Sequence, residues 1–160
     1  MSERMERRKG EGKRLVDAET GRDTDIGVGY IDVAHLDGAR AVFVLVDSQY
    51  RVLAARAYDA ETIGFWLGFL EYLDAGDLLP WVIRVDRSSV TASREFRSWC
   101  LEREVRIQHY LGIPHRVILA AARFMKTVMH TEKETLSDLN RHLALAILEA
   151  PIAETGGTTS

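Results

Sequence analysis

At about residue 60 the hydrophobic period of this chain switches from that of strands to that of a helix, and the switch limits the fold to a sheet with helices packed on it. Upstream, Ile26 to Ala34 alternates as a strand, and Ala39 to Val46 is an apolar run of strand length broken only by Arg40. Val52 to Tyr58 is a third strand, with Asp47-Ser48-Gln49-Tyr50 supplying the turn chemistry before it. Downstream, Ile63, Trp66, Leu67, Leu70 and Leu73 recur at helical spacing and stop near Gly76, which predicts a helix over 60–74 laid on the sheet by its aromatic stripe. Pro80 opens a short buried strand, Trp81 to Val85, that delivers Asp86 into a loop. Ser93 or Thr91 caps a helix in which Phe96, Trp99, Cys100 and the aliphatic stem of Arg103 share a face. Val105 to His109 reads as a fifth strand. Arg116 to His130 and about Thr131 to Leu148 read as two further helices, the second with Leu136, Leu139, Leu143 and Ile147 as its stripe. The expected order is β-β-β-α-β-α-β-α-α, an α/β domain whose helices cover a mixed sheet on both faces.

With 160 residues, 46% of them hydrophobic, the chain holds one domain with a real core. Residues 1–26 are polar and without hydrophobic period and read as a flexible leader; 27–150 form the domain; 151–160 read as a flexible tail. The single cysteine, Cys100, excludes an intrachain disulfide, and no Cys/His cluster has zinc spacing, so a reducing cytoplasm is the expected setting. No apolar run approaches the ~20 residues of a membrane span, and no signal-peptide core follows the basic N-terminus.

The net charge is −3, but it is unevenly spread. Residues 15–80 carry twelve acids against four bases, whereas 84–126 carry nine bases against four acids. Solvated helix faces account for such a distribution; so does a surface that meets phosphates, in which Arg87, Arg94, Arg116, Arg123 and Lys126 are the candidate contacts.

The acids sit on this order in a pattern. Tyr30-Ile31-Asp32-Val33 places an Asp inside the first strand, and 53 residues separate Asp32 from Asp86 at the end of the fourth. Val44-Leu45-Val46-Asp47-Ser48-Gln49-Tyr50-Arg51 forms the turn between strands two and three, and Ser93-Arg94-Glu95-Phe96 begins the following helix. Taken together, residues 28–130 resemble the ribonuclease-H-like catalytic core of retroviral integrases and bacterial insertion-sequence transposases. The resemblance implies a five-stranded mixed sheet, three antiparallel strands then two parallel. It implies an acidic triad of Asp32, Asp86 and a Glu separated from Asp86 by 35 residues.

That third position is Ala122, followed by Arg123-Phe124-Met125-Lys126-Thr127. Two further departures are Tyr50, where the family's turn has Ser, and Arg87-Ser88, where the transposases have Asn-Gly. Alanine cannot ligate a metal, and the next acids, Glu132 and Glu134, lie about 15–18 Å further along a continuous helix. The resemblance therefore implies metal ligation by Asp32 and Asp86 alone, one Mg²⁺ or Mn²⁺ completed by waters, a weak second metal site, and strand cleavage or joining that is slow or absent. An ion pair of Asp32 with Arg87 is the alternative that would close the site. His35 is an ordinary hydrogen-bonded histidine or an acid/base near the site.

Besides an enzyme of the same fold that still cuts nucleic acid with a rearranged set of acids, two functions remain open. One is an integrase/transposase-like core that has lost one acid and binds DNA weakly and without sequence preference, as a homodimer. The other is a non-catalytic interaction or dimerisation module on the same fold, using the aromatic helix 60–74. The short leader is not expected to hold a helix-turn-helix domain for sequence-specific end binding.

Overall fold

A computed structural model describes residues 26–36, 39–128 and 135–159, with side chains of the last helix described as far as Glu149. Among the described residues five strands and four helices follow one another as β1 (Val28–His35), β2 (Ala41–Asp47), β3 (Val52–Tyr58), α1 (Ile63–Ala75), β4 (Val82–Asp86), α2 (Arg94–Glu102), β5 (Arg106–Tyr110), α3 (His115–Val128) and α4 (Leu136–Thr159). The order is the one the hydrophobic periods dictate. The sheet runs β3-β2-β1-β4-β5, with β1, β2 and β3 antiparallel and β4 and β5 parallel to β1.

Strand alternation divides the core into two layers. Ile31, Phe43, Leu45, Ile83 and Val85 face α1 and α2, meeting Trp66, Phe69, Phe96 and Trp99. Tyr30, Val42, Val44 and Ala57 face α3 and α4, meeting Val117, Phe124, Leu139 and Leu143. β2 is buried at every residue because it is central and covered on both faces, which is why it reads as an unbroken apolar run. Thr62 caps α1 by accepting from the Phe65 N–H, and Ser93, not Thr91, caps α2 by accepting from the Phe96 N–H. Asp47 forms the β2–β3 turn: its Oδ1 accepts from the N–H groups of Gln49 and Arg51, both at 2.9 Å. Gly29 permits the close approach of the segment entering β4, since a Cβ there would lie 2.7 Å from Pro80 Cγ.

β3 is an edge strand, and α4 covers it. The Asn140 Oδ1 accepts from the Ala57 N–H at 2.6 Å while its Nδ2 donates to the Ala57 carbonyl at 3.1 Å, occupying both groups that a further strand would seek. Asn140→Ala leaves both unpaired and is expected to destabilise the domain by about 1–3 kcal/mol. The check is a lower urea midpoint at unchanged slope.

Two expectations fall at the limits of description. The leader, apart from Ile26, and residues 129–134 lie outside the described residues. The backbone of α4 passes through 151–159, the segment read as a tail, whose side chains are likewise outside.

Candidate metal and strand-transfer site

The site is built by two neighbouring parallel strands. β1 and β4 pair in parallel as far as Tyr30 opposite Arg84, and strand alternation puts Asp32 and Asp86, each two residues further on, on the same face of the sheet as those two. That face is the one α3 packs on. Asp86 is at the last position of β4 and exposed; Asp32 is half-buried inside β1.

Burial, then the negative charge of Asp86, pushes the Asp32 carboxyl up from its ordinary range to about 6. A hydrogen bond from the Val33 backbone and the nearby His35 oppose the shift, and Glu61 adds to it slightly. A second carboxylate nearby with little compensating charge raises the cost of ionising Asp32, and a divalent cation relieves that cost.

The surroundings hold Asp86 without neutralising it. Its Oδ1 accepts from the Gly112 N–H at 3.1 Å, at a position whose φ of +116° favours glycine. Its own carbonyl accepts from the buried Thr91 hydroxyl at 2.8 Å. Arg84 is committed elsewhere: its Nη1 donates to the Tyr30 hydroxyl at 2.9 Å and its Nε to Gln108 at 2.7 Å. Arg87 is exposed, and among the described residues it makes no ion pair with either Asp; the Arg87 closure is not formed.

Beside β1, His35 Nε2 lies 2.8 Å from Glu61 Oε1, and Glu61 Oε2 accepts from the Trp66 indole N–H at 3.0 Å. Sequence reading treated His35 alone, because no spacing rule links it to an acid 26 residues away. Gly112 and Thr91 were likewise missed as supports of Asp86: both act through contacts closed by the fold.

Ala122 is exposed on α3, beside the buried stripe of Val117, Ala121, Phe124, Met125 and Val128. One flank of that stripe, with Arg116, Ala120, Arg123 and Thr127, lines a groove toward the β2–β3 turn and α4. The other flank, turned away from the groove, carries Ala122 and, one turn earlier, Ile118, which is 41% exposed. Neither offers an oxygen ligand. Glu132 and Glu134 lie outside the described residues.

The five candidate phosphate contacts are divided between the two faces of the sheet. Arg94 opens α2 on the α1 side, Arg116, Arg123 and Lys126 lie on α3, and Arg87 follows β4.

Two hard carboxylates on adjacent strands fit one Mg²⁺ or Mn²⁺ that keeps several waters. Among the described residues no group of three His, Cys, Asp or Glu side chains is placed to hold a metal, so the donor set does not fit a pair of ions.

No protein-family model matches the chain, and no curated protein matches it. Solved structures do. A chain of the simian T-cell lymphotropic virus intasome, in complex with PP2A regulatory subunit B56 gamma, superposes with TM-score 0.61 at 18% identity, over 77% of this chain and 47% of that one. The chain thus spans about half the length of that intasome chain. The HTLV-2 integrase catalytic core domain, in complex with magnesium in a trimeric form, superposes with TM-score 0.59 at 16% identity, over 77% of this chain and 83% of that one. The five-stranded mixed sheet flanked by helices is the ribonuclease-H-like fold of retroviral integrase catalytic cores.

Proposed function

We propose that the chain is an integrase/transposase-core-like domain, related to metal-dependent DNA strand transfer, that retains two acids of the triad and is catalytically impaired. The observation that supports it is the placement of Asp32 and Asp86 on one face of two neighbouring parallel strands, close enough for the charge of Asp86 to join burial in pushing the Asp32 carboxyl up to about 6. A structural ion pair would depress that carboxyl; here it is raised, as for an acid awaiting a cation.

Asp32 and Asp86 would hold one Mg²⁺ or Mn²⁺. When bound, the ion would neutralise charge on a phosphodiester undergoing in-line displacement. Asp32, ionised above about pH 6, would offer its carboxylate as one ligand. Asp86 is aimed by the Gly112 amide, and Tyr30, braced by Arg84, walls the site. In this reading Ala122 stands where the third acid would be, so no third carboxylate would stabilise the leaving oxygen. Metal titration tests this reading: one weakly held ion per chain is expected, lost in Asp32→Asn and in Asp86→Asn, whereas binding that survives both substitutions contradicts it.

The partner in this reading is DNA, met weakly and without sequence preference through Arg87, Arg94, Arg116, Arg123 and Lys126. Since phosphate contacts release counterions, affinity is expected to fall on the order of tenfold or more between 50 and 200 mM salt. Fluorescence anisotropy reads this, and salt-independent binding would contradict it. Self-association also belongs to the proposal, the HTLV-2 core being a trimeric form. No helix among the described residues is long and apolar enough to cross a membrane.

A further inference from the structure

A groove of about 830 Å³ opens between the β2–β3 turn and helices α3 and α4. It lies toward the opposite end of β1 from the carboxylates: the turn follows Asp47, which pairs with Gly29 at the start of β1, whereas Asp32 and Asp86 lie toward the strands' C-terminal ends. Val52, Phe124 and Ala146 make part of its lining apolar, and Glu149 places one carboxylate at its edge. Arg116 and Arg123 rise from one flank of α3, seven residues and so about 10 Å apart along the helix. Arg51, also at the groove, is paired with Asp47 at 2.8 Å, but no carboxylate among the described residues pairs with Arg116 or Arg123.

Tyr50 stands at the mouth. Its φ of 63° is left-handed backbone that a bulky side chain resists and that Gly or Asn would adopt without strain. The ring is 37% exposed, with the Arg116 guanidinium 5.4 Å from its centroid. A strained, exposed aromatic ring beside two unpaired arginines joins the features that recognise unpaired nucleic acid: a π-face for a base and fixed cations for phosphates. A duplex, with its bases paired and stacked, offers Tyr50 no free face.

We infer that this groove binds a single strand of nucleic acid, with phosphates on Arg116 and Arg123 and a base on Tyr50. The inference rests on the nucleic-acid reading above and adds to it a second site and a strand form.

The test is fluorescence anisotropy of the full chain with labelled oligo(dT) and with a duplex of equal length, over a range of salt. Arg116→Ala combined with Arg123→Ala is expected to weaken oligo(dT) binding about tenfold and to reduce the salt slope by about 1.4, the share of two single-strand phosphates. Tyr50→Asn relieves the backbone strain, so the fold is retained, yet it is expected to weaken oligo(dT) binding about fivefold or more and to leave duplex binding unchanged. Wild-type affinity in both variants overturns the inference. So does an equal loss for single strand and duplex, or competition by polyglutamate equal, charge for charge, to that by unlabelled oligo(dT), which would mark an acidic-peptide site. Mn²⁺ titration of the same proteins separates the two readings. Metal binding that depends on Asp32, alongside unaltered oligo(dT) binding in the variants, sinks the groove alone; wild-type protein that binds neither oligo(dT) at low salt nor Mn²⁺ sinks both.

Discussion

Ala122→Glu is expected to tighten Mn²⁺ binding by about tenfold or more, because it adds a third hard carboxylate to a site that has two. The substitution is physically mild: residue 122 is exposed, lies on a helix, and glutamate is a good helix former. What decides the outcome is direction. The α3 flank with Ala122 turns away from the groove at the β2–β3 turn, and α3 lies on the face from which Asp32 and Asp86 emerge. The expectation is that a glutamate there reaches the pair and supplies the ligand that a second ion requires. A trace of metal-dependent strand nicking is the second readout. Asp86→Asn added to Ala122→Glu is expected to remove both gains. Ile118→Glu is the matched comparison, one turn nearer the helix start on the same flank. Gain at Ile118 without gain at Ala122 would show that residue 122 does not hold the third-acid position, and so would a gain at Ala122 that survives Asp86→Asn.

Asp32→Asn is expected to stabilise the metal-free domain at neutral pH. The Asp32 pKa is raised in the folded chain, from 3.8 to about 6, so the folded state binds the proton more tightly than the unfolded state. The contribution of this group to stability is therefore fully present below about pH 4 and is lost as pH rises through 6. Discounted for partial exposure, the loss is about 1–2 kcal/mol, a few degrees in Tm for a domain of this size. Asparagine carries no charge at any of these pH values, so the variant is expected to melt higher at pH 7 and to lose the wild-type decline between pH 4 and 6. Mg²⁺ reverses the order: it is expected to raise the Tm of wild type at pH 7 and to leave Asp32→Asn unchanged. A wild type more stable than the variant in metal-free buffer would mean that Asp32 has a stabilising partner and is a structural acid.

The hydrophobic periods carried the fold. β2 is an apolar run because both its faces are covered, β4 buries only Ile83 and Val85 of one face, and α1 is written by Trp66, Phe69, Leu70 and Leu73. The start of α1 moved from 60 to Ile63, where the Thr62 cap decides it, whereas α2 starts at the expected Ser93 cap. Asp32 and Asp86 were legible because each ends or interrupts an apolar strand with a charge that such a strand would otherwise exclude. Their supports were not. The amide of Gly112, the hydroxyl of Thr91 and the carboxylate of Glu61 reach the site through loops and a helix start, where no periodicity links distant residues. Basic residues misled by adjacency: the run from Arg84 to Lys126 reads as one cationic stretch, yet Arg84 is spent on Tyr30 and Gln108, and Arg94 belongs to the opposite layer from Arg123. Tyr50 appeared only as a departure from a turn pattern; its left-handed backbone gives that departure a physical meaning.

The central claim is that Asp32 and Asp86 together hold a divalent cation. Anomalous diffraction from crystals grown in millimolar Mn²⁺ tests it most directly. One peak is expected within about 2.0–2.3 Å of an oxygen from each carboxylate, with waters in the remaining octahedral positions. Crystals with no peak at either residue, and with Arg87 bridging the two carboxylates or the carboxylates more than about 10 Å apart, beyond the span of any such cluster, would contradict it.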